Sequence, residues 1–138
     1  MKHIIATSAA IVLLTYFLMQ PVLDYVNYNK MKKFDIAVNN ATQQARLDGR
    51  FTTQNIQQLQ SDITKAYTDI SVSEIVINVC TTQRYRSDVD DPNEHITYDI
   101  EVPIKKIIAA PTLVNISDVI NNMKYGQKSY VLSEVNMP

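Results

Sequence analysis

The chain has 138 residues, with 13 Lys and Arg against 14 Asp and Glu, a formal charge of -1. That balance argues against the clustered basic face that nucleic-acid binding needs, so no nucleic-acid partner is expected. Two glycines in the whole chain leave no G-x-G-x-x-G or G-x-x-x-x-G-K loop to cradle phosphate. The single cysteine, Cys80, can form neither an intramolecular disulfide nor a multi-cysteine zinc site, and is expected as a small buried hydrophobe in a strand.

The first element is the run Ile4 to Leu23, which contains no charged residue. About twenty residues at 1.5 Å each span about 30 Å, the thickness of a bilayer core. A cleaved signal peptide, a retained anchor and a buried core helix all begin this way. A signal peptide ends on small residues, but here Thr7, Ser8, Ala9 and Ala10 come early and the bulky Tyr16, Phe17, Leu18 and Met19 come late. The run is therefore expected as a retained membrane or assembly helix carried by Ile4, Ile5, Ile11, Val12, Leu14, Phe17 and Pro21. Tyr16, Tyr25 and Tyr28 suit an interfacial aromatic belt. The simplest topology puts the short N-terminus inside and the remainder outside. Lys30, Lys32 and Lys33, soon after the span, pull the other way under the positive-inside rule.

Beyond the span, Leu23, Val26, Met31, Phe34, Ala37, Val38, Ala41 and Ala45 recur with spacings of three and four dominating, predicting an amphipathic helix from Asp24 to Leu47. Val26, Met31, Phe34, Val38 and Ala41 are its expected sheet-packing face, and Gly49 its C-terminal stop. Pro21 frees the Phe17 carbonyl, so a continuous helix should kink there, with Thr15 and Gln20 available to the freed groups; the alternative is two separate helices with Pro21 at a first helical position. A second helix is expected from about Thr53 to Asp69, capped by Thr52 or Thr53, with Ile56, Leu59, Ile63 and Ala66 or Tyr67 on its apolar face.

After Tyr67 the period becomes two. Ile70, Val72, Ile75, Ile77 and Val79 predict one half-buried strand, and Ile96, Tyr98, Ile100, Val102 and Ile104 a second, paired antiparallel across a polar hairpin. Pro103 marks the second as an edge strand or an early end. Ile107–Ile116 reads as a possible strand extension, Ser117–Gly126 as a short helix, and Lys128–Val135 as a last strand. The fold class is therefore α+β: a long N-terminal helix, membrane-spanning then amphipathic, a second helix and a small antiparallel sheet. The expected division is 1–23 as transmembrane or assembly helix and 24–138 as an α+β domain with a helical stalk.

Asp88, Asp90, Asp91, Glu94 and His95 gather enough oxygen and nitrogen ligands to suggest Ca²⁺, but the EF-hand glycine and terminal glutamate are missing, and a solvated hairpin tip is the simpler reading. No serine or cysteine has a base and an orienting carboxylate near it in sequence. No catalytic residue, metal, cofactor or small-molecule substrate is expected.

An apolar helix that continues as an amphipathic helix and then packs on an antiparallel sheet resembles the type IV pilin design. Ala37–Leu59, an alanine-spaced helix, Ala-Arg, a glycine stop, then threonine and a second helix, looks most like TadE-like pilin-related proteins. The resemblance implies a small membrane-anchored subunit of a pilus, secretion or conjugation machine, whose partners are the membrane, copies of itself or other pilin or secretion subunits. It is one of architecture, so no site residue is carried over. The alternative is a non-polymerising, single-pass accessory protein that binds a partner in such a complex.

Overall fold

The structure, a computed structural model, describes residues 2–86 and 91–137, and within them all side chains but those of Lys2 and Val114. The element order is α1 (Lys2–Asp48), α2 (Thr53–Ala66), β1 (Val76–Val79), β2 (His95–Lys105) and β3 (Asn122–Leu132). Short 3₁₀ turns occupy Val72–Glu74, Pro92–Glu94 and Pro111–Val114. The class is α+β, with a three-stranded antiparallel sheet in the order β1-β2-β3.

The chain forms two compact units. One comprises 1–29 and 104–123, the other 30–103 and 124–138. Residues 104–123 thus fold in the same unit as the apolar N-terminal segment.

Helix α1 runs through Pro21 without interruption. Neither residue proposed to serve the freed Phe17 carbonyl does so: Thr15 Oγ1 donates to Ile11 O at 2.8 Å, and Gln20 turns elsewhere. The helix stops where glycine predicts it should. Gly49 takes a left-handed φ of 71°, and the last carbonyls find donors outside the helix. Gln83 Nε2 donates to Asp48 O at 3.0 Å, Arg84 N to Gly49 O at 2.9 Å, and Glu134 N to Arg46 O at 3.0 Å. Thr52 caps α2, its hydroxyl accepting from Asn55 N at 3.2 Å.

The core of the second unit is built from Phe34, Val38 and Ala45 of α1, Phe51, Leu59 and Ile63 around α2, Tyr67, and the even-numbered residues Ile96, Ile100 and Val102 of β2. Alternation along β2 buries these and turns Thr97 outward, as a strand with one wet face requires. Asn55 follows the packing: its Nδ2 donates to Ala41 O at 2.8 Å and joins α2 to α1.

Three expectations about the sheet need correction. First, β2 carries Pro103 yet is the central strand. The register pairs Val76 with Glu101 and Val79 with Tyr98, and Cys80 N donates to Thr97 O. Odd-numbered residues of β2 therefore direct their backbone groups toward β1, and β1 begins only at Val76, short of the position opposite Pro103. The missing N–H falls where no ladder bond is needed. Second, β1 is shorter than the alternation from Ile70 suggested, because Ser71–Glu74 closes a 3₁₀ turn. Glu74 Oε2 accepts from Ser71 N at 2.8 Å, and Glu74 N donates to Ser71 O at 3.0 Å. Third, Ser117–Gly126 is not a helix. Its second half opens β3, six residues before the expected strand. Gly126 is there because the strands approach closely, since a Cβ at this position would lie 2.6 Å from Ile100 O.

Candidate functional site

One helix, over His3–Asp48, is long and apolar enough to cross a membrane among the described residues. Its apolar stretch is bare: Ile4, Ile5, Ile11, Val12, Leu14 and Phe17 are all exposed, as is Pro21. So large an uncovered apolar surface is what a lipid-facing or partner-facing helix presents and what a water-facing helix avoids.

Within the same unit, the segment after β2 is tied to the end of this stretch by two amide side chains of α1. Asn27 Nδ2 donates to Lys106 O at 3.1 Å. Seven residues earlier on α1, Gln20 Nε2 donates to Ile107 O at 2.9 Å, and Gln20 Oε1 accepts from Ala109 N at 2.9 Å. The chain from Lys106 to Ala109 thus climbs α1 toward the apolar end, by about 10 Å at 1.5 Å per helical residue. Asn121 closes the loop from its other side. Its Oδ1 accepts from Ile107 N at 3.0 Å and Ile108 N at 2.8 Å, its Nδ2 donates to Ile108 O at 2.9 Å, and its carbonyl accepts from Lys106 N at 2.9 Å. Lys106 and Asn115 take left-handed φ values of 60° and 57° as the chain turns. An apolar groove of about 710 Å³ lies between this loop and α1, lined by Met19, Val22, Leu23 and Val26 on one side and Ile108 and Val119 on the other.

These anchors were not legible as such in the sequence. A glutamine at the end of an apolar run is a weak signal, and neither Asn27 nor Asn121 carries a pattern. Of the expected packing face, Phe34 and Val38 are fully buried, Ala41 is buried and Met31 is half-buried. Val26 is 42% exposed and lines the groove, because Asn27, the next residue, is the one turned into the loop.

In the second unit a polar cluster joins α1 to β3. Asp35 accepts from Tyr125 Oη at 3.0 Å and from Gln127 Nε2 at 2.7 Å. Tyr67 is fully buried beside them, and its hydroxyl has no hydrogen-bond partner among the described residues. Burial drives its pKa far above the usual phenol range, with Tyr125, Asp35 and Asp69 adding to the effect. Burial, and then the hydrogen bond to Asp35, push Tyr125 up as well. Lys30 Nζ sits 5.8 Å from the Tyr67 ring centroid and pairs with Asp69 at 2.9 Å. A second groove, about 790 Å³ and polar, runs along α1 and α2 and is lined by Asn40, Gln44, Asn55, Gln58 and Gln83.

The acidic hairpin divides. Asp88 and Asp90 lie outside the described residues. Asp91 caps a 3₁₀ turn, its Oδ1 accepting from Asn93 N at 2.9 Å, while Glu94 is buried and His95 stacks on Tyr130 with ring centroids 4.0 Å apart. No group of three His, Cys, Asp or Glu that could hold a metal ion forms among the described residues. Cys80 is half-buried just past β1, its thiol directed at Thr82 O, and not a core residue of the strand. No protein-family model, curated protein or solved structure matches the chain.

Proposed function

We propose that the chain is a pilin-like structural subunit of a pilus or secretion machine, held in the membrane by Ile4–Leu23 and assembling through packing of that helix. One observation carries this reading. A single uninterrupted helix is apolar and largely exposed from Ile4 to Met19, and buries Phe34, Val38 and Ala41 against an α+β core further along. A helix of this kind can leave lipid and pack against copies of itself without any change of secondary structure, because its backbone bonds, apart from the one Pro21 cannot make, lie within the helix. The second unit lies outside the cytoplasm. Of the three lysines that oppose this topology, Lys30 is engaged by Asp69, while Lys32 and Lys33 are exposed.

Electron microscopy of the membrane and sheared surface fractions of expressing cells tests the proposal. Filaments that label with antibody to the chain are the expected result. Monomers alone after mild detergent extraction would overturn assembly and leave the anchored accessory protein. Mass spectrometry of the mature N-terminus adds a second readout, since a cut within the first residues fits a processed filament subunit. An impermeant maleimide reaching Cys80 in intact cells is the outcome expected of an extracytoplasmic unit, and labelling only after lysis would reverse that placement.

A further inference from the structure

We infer that the loop Ile107–Ile120 sits in the interfacial layer of the lipid bilayer, a second membrane contact beside the spanning helix. The inference rests on the reading of Ile4–Leu23 as a membrane span.

Three independent features of the first unit lead there. The first is position. Gln20 lies three residues before the end of the apolar run, and it holds both Ile107 O and Ala109 N. The loop is thereby fixed level with the last turn of the span, and it runs toward the apolar end. The second is its surface. From Ile107 to Ser117 the sequence contains no charged residue. Leu113 is 55% exposed, Val119 82% and Ile120 67%, which is costly in water for three large apolar side chains held close in sequence on a loop. Of these, Val119 lines the groove that reaches Met19 and Val22 on the span.

The third is the backbone. An irregular segment entering a low-dielectric layer must satisfy its own polar groups, because each one left bare costs several kcal/mol. At the base of this loop that condition is met by side chains. The N–H and C=O groups of Lys106, Ile107 and Ile108, and the N–H of Ala109, are all bonded to Asn27, Gln20 or Asn121. Further out, Leu113 N bonds to Ala110 O, Ile116 N to Pro111 O, Ile120 N to Ser117 O, and Asn122 Nδ2 to Val119 O. Pro111 has no N–H to satisfy. A water-facing loop has no need of so much internal pairing, since solvent supplies the partners. Lipid is the occupant these observations select. The apolar tip continues the surface of the helix that spans it, and the only charge between Ile107 and Ile120 is Asp118.

The test uses the full chain in lipid vesicles on a Cys80→Ser background. Single cysteines at Leu14, Val119 and Thr68 carry an environment-sensitive fluorophore, Thr68 being exposed in the other unit. Nitroxide lipids quench from within the bilayer and iodide quenches from water. The expected result is loss of fluorescence to nitroxide at Leu14→Cys and Val119→Cys and to iodide at Thr68→Cys, with headgroup-level nitroxide the most effective at Val119→Cys. Leu113→Cys provides a second site on the same loop. Leu14→Cys in lipid with both loop probes quenched by iodide would overturn the inference and leave the span standing. Iodide reaching Leu14→Cys as well would remove the span and the inference together. A loop probe shielded from both quenchers would show a protein covering the loop, and would likewise overturn it.

Discussion

Phe34 and Tyr125 meet edge to face, their ring centroids 5.5 Å apart and their planes at 71°. This contact fastens α1 to β3, and the residue next to Phe34 repeats the connection in polar form through Asp35 and the Tyr125 hydroxyl. Phe34→Ala removes a fully buried ring and its partner's edge contact together. The expected loss is about 3–5 kcal/mol of unfolding free energy for the second unit. Urea denaturation of the full chain in detergent, followed by circular dichroism, measures it, and a loss under about 1 kcal/mol would mean the ring is not packed as described.

Tyr67 carries an opposite expectation. Its ring is part of the core, but its hydroxyl is buried without a partner. Tyr67→Phe keeps the ring and deletes the orphaned group. Stability should hold or rise by up to about 1 kcal/mol, since an unsatisfied buried hydroxyl costs that much or more. A clear loss in the same denaturation experiment would mean that the hydroxyl has a partner.

The same residues set an alkaline limit. The folded-state pKa values of Tyr67 and Tyr125 are raised above the ordinary phenol value of 10.0, so the fold favours the protonated form. The stability they contribute is complete below pH 10 and is lost as the pH rises from there toward the folded-state values, where the unfolded chain releases protons that the folded one retains. The melting temperature should be insensitive to these groups between pH 7 and 9 and should fall above about pH 10. Tyr67→Phe should flatten that fall, and an unchanged pH profile in this variant would assign the alkaline loss to other groups.

Gly49 is a backbone requirement. At φ 71° a side chain is strained, and a Cβ would also lie 2.6 Å from Arg84 O. Gly49→Ala should therefore cost at least about 1–2 kcal/mol from the left-handed conformation alone, with more from the displaced Arg84 backbone. A thermal melt unshifted from the parent would show that the α1 terminus can rearrange freely.

Asn121 is the hub of the loop in the first unit. Asn121→Ala leaves the Ile107 and Ile108 N–H groups and the Ile108 carbonyl without that partner, at a local cost of about 1 kcal/mol for each half-buried group. Hydrogen exchange in detergent should show the amides of Ile107 and Ile108 losing protection while those of α2 keep theirs. Equal protection in parent and variant would remove Asn121 from the role given to it.

Much of this molecule could be read locally. The uncharged run to Leu23, the three-and-four spacing of Phe34, Val38 and Ala41, the glycine stop at Gly49, the Thr52 cap and the alternation Ile96 to Ile104 are all short-range patterns. Each reflects a preference a few residues can express on their own, either the burial period of a helix or strand or the backbone freedom of one glycine. That is why the α+β class and most helix and strand identities followed from the sequence, along with the apolar span that by composition suits a membrane.

The tertiary structure decided what depended on partners distant in the chain. Pro103 could sit in a central strand because β1, some twenty residues earlier, begins short of the position opposite it. Met123–Gly126 became strand and not helix because β2 offered an edge that Gly126 could approach. Gln20, Asn27 and Asn121 became one clamp because the chain after β2 returns to α1, and an amide side chain carries no sign of which distant carbonyl it will meet. Periodicity records which side of an element faces away from water. It does not record which remote backbone will need a hydrogen bond there, and that need is met only once the chain has folded.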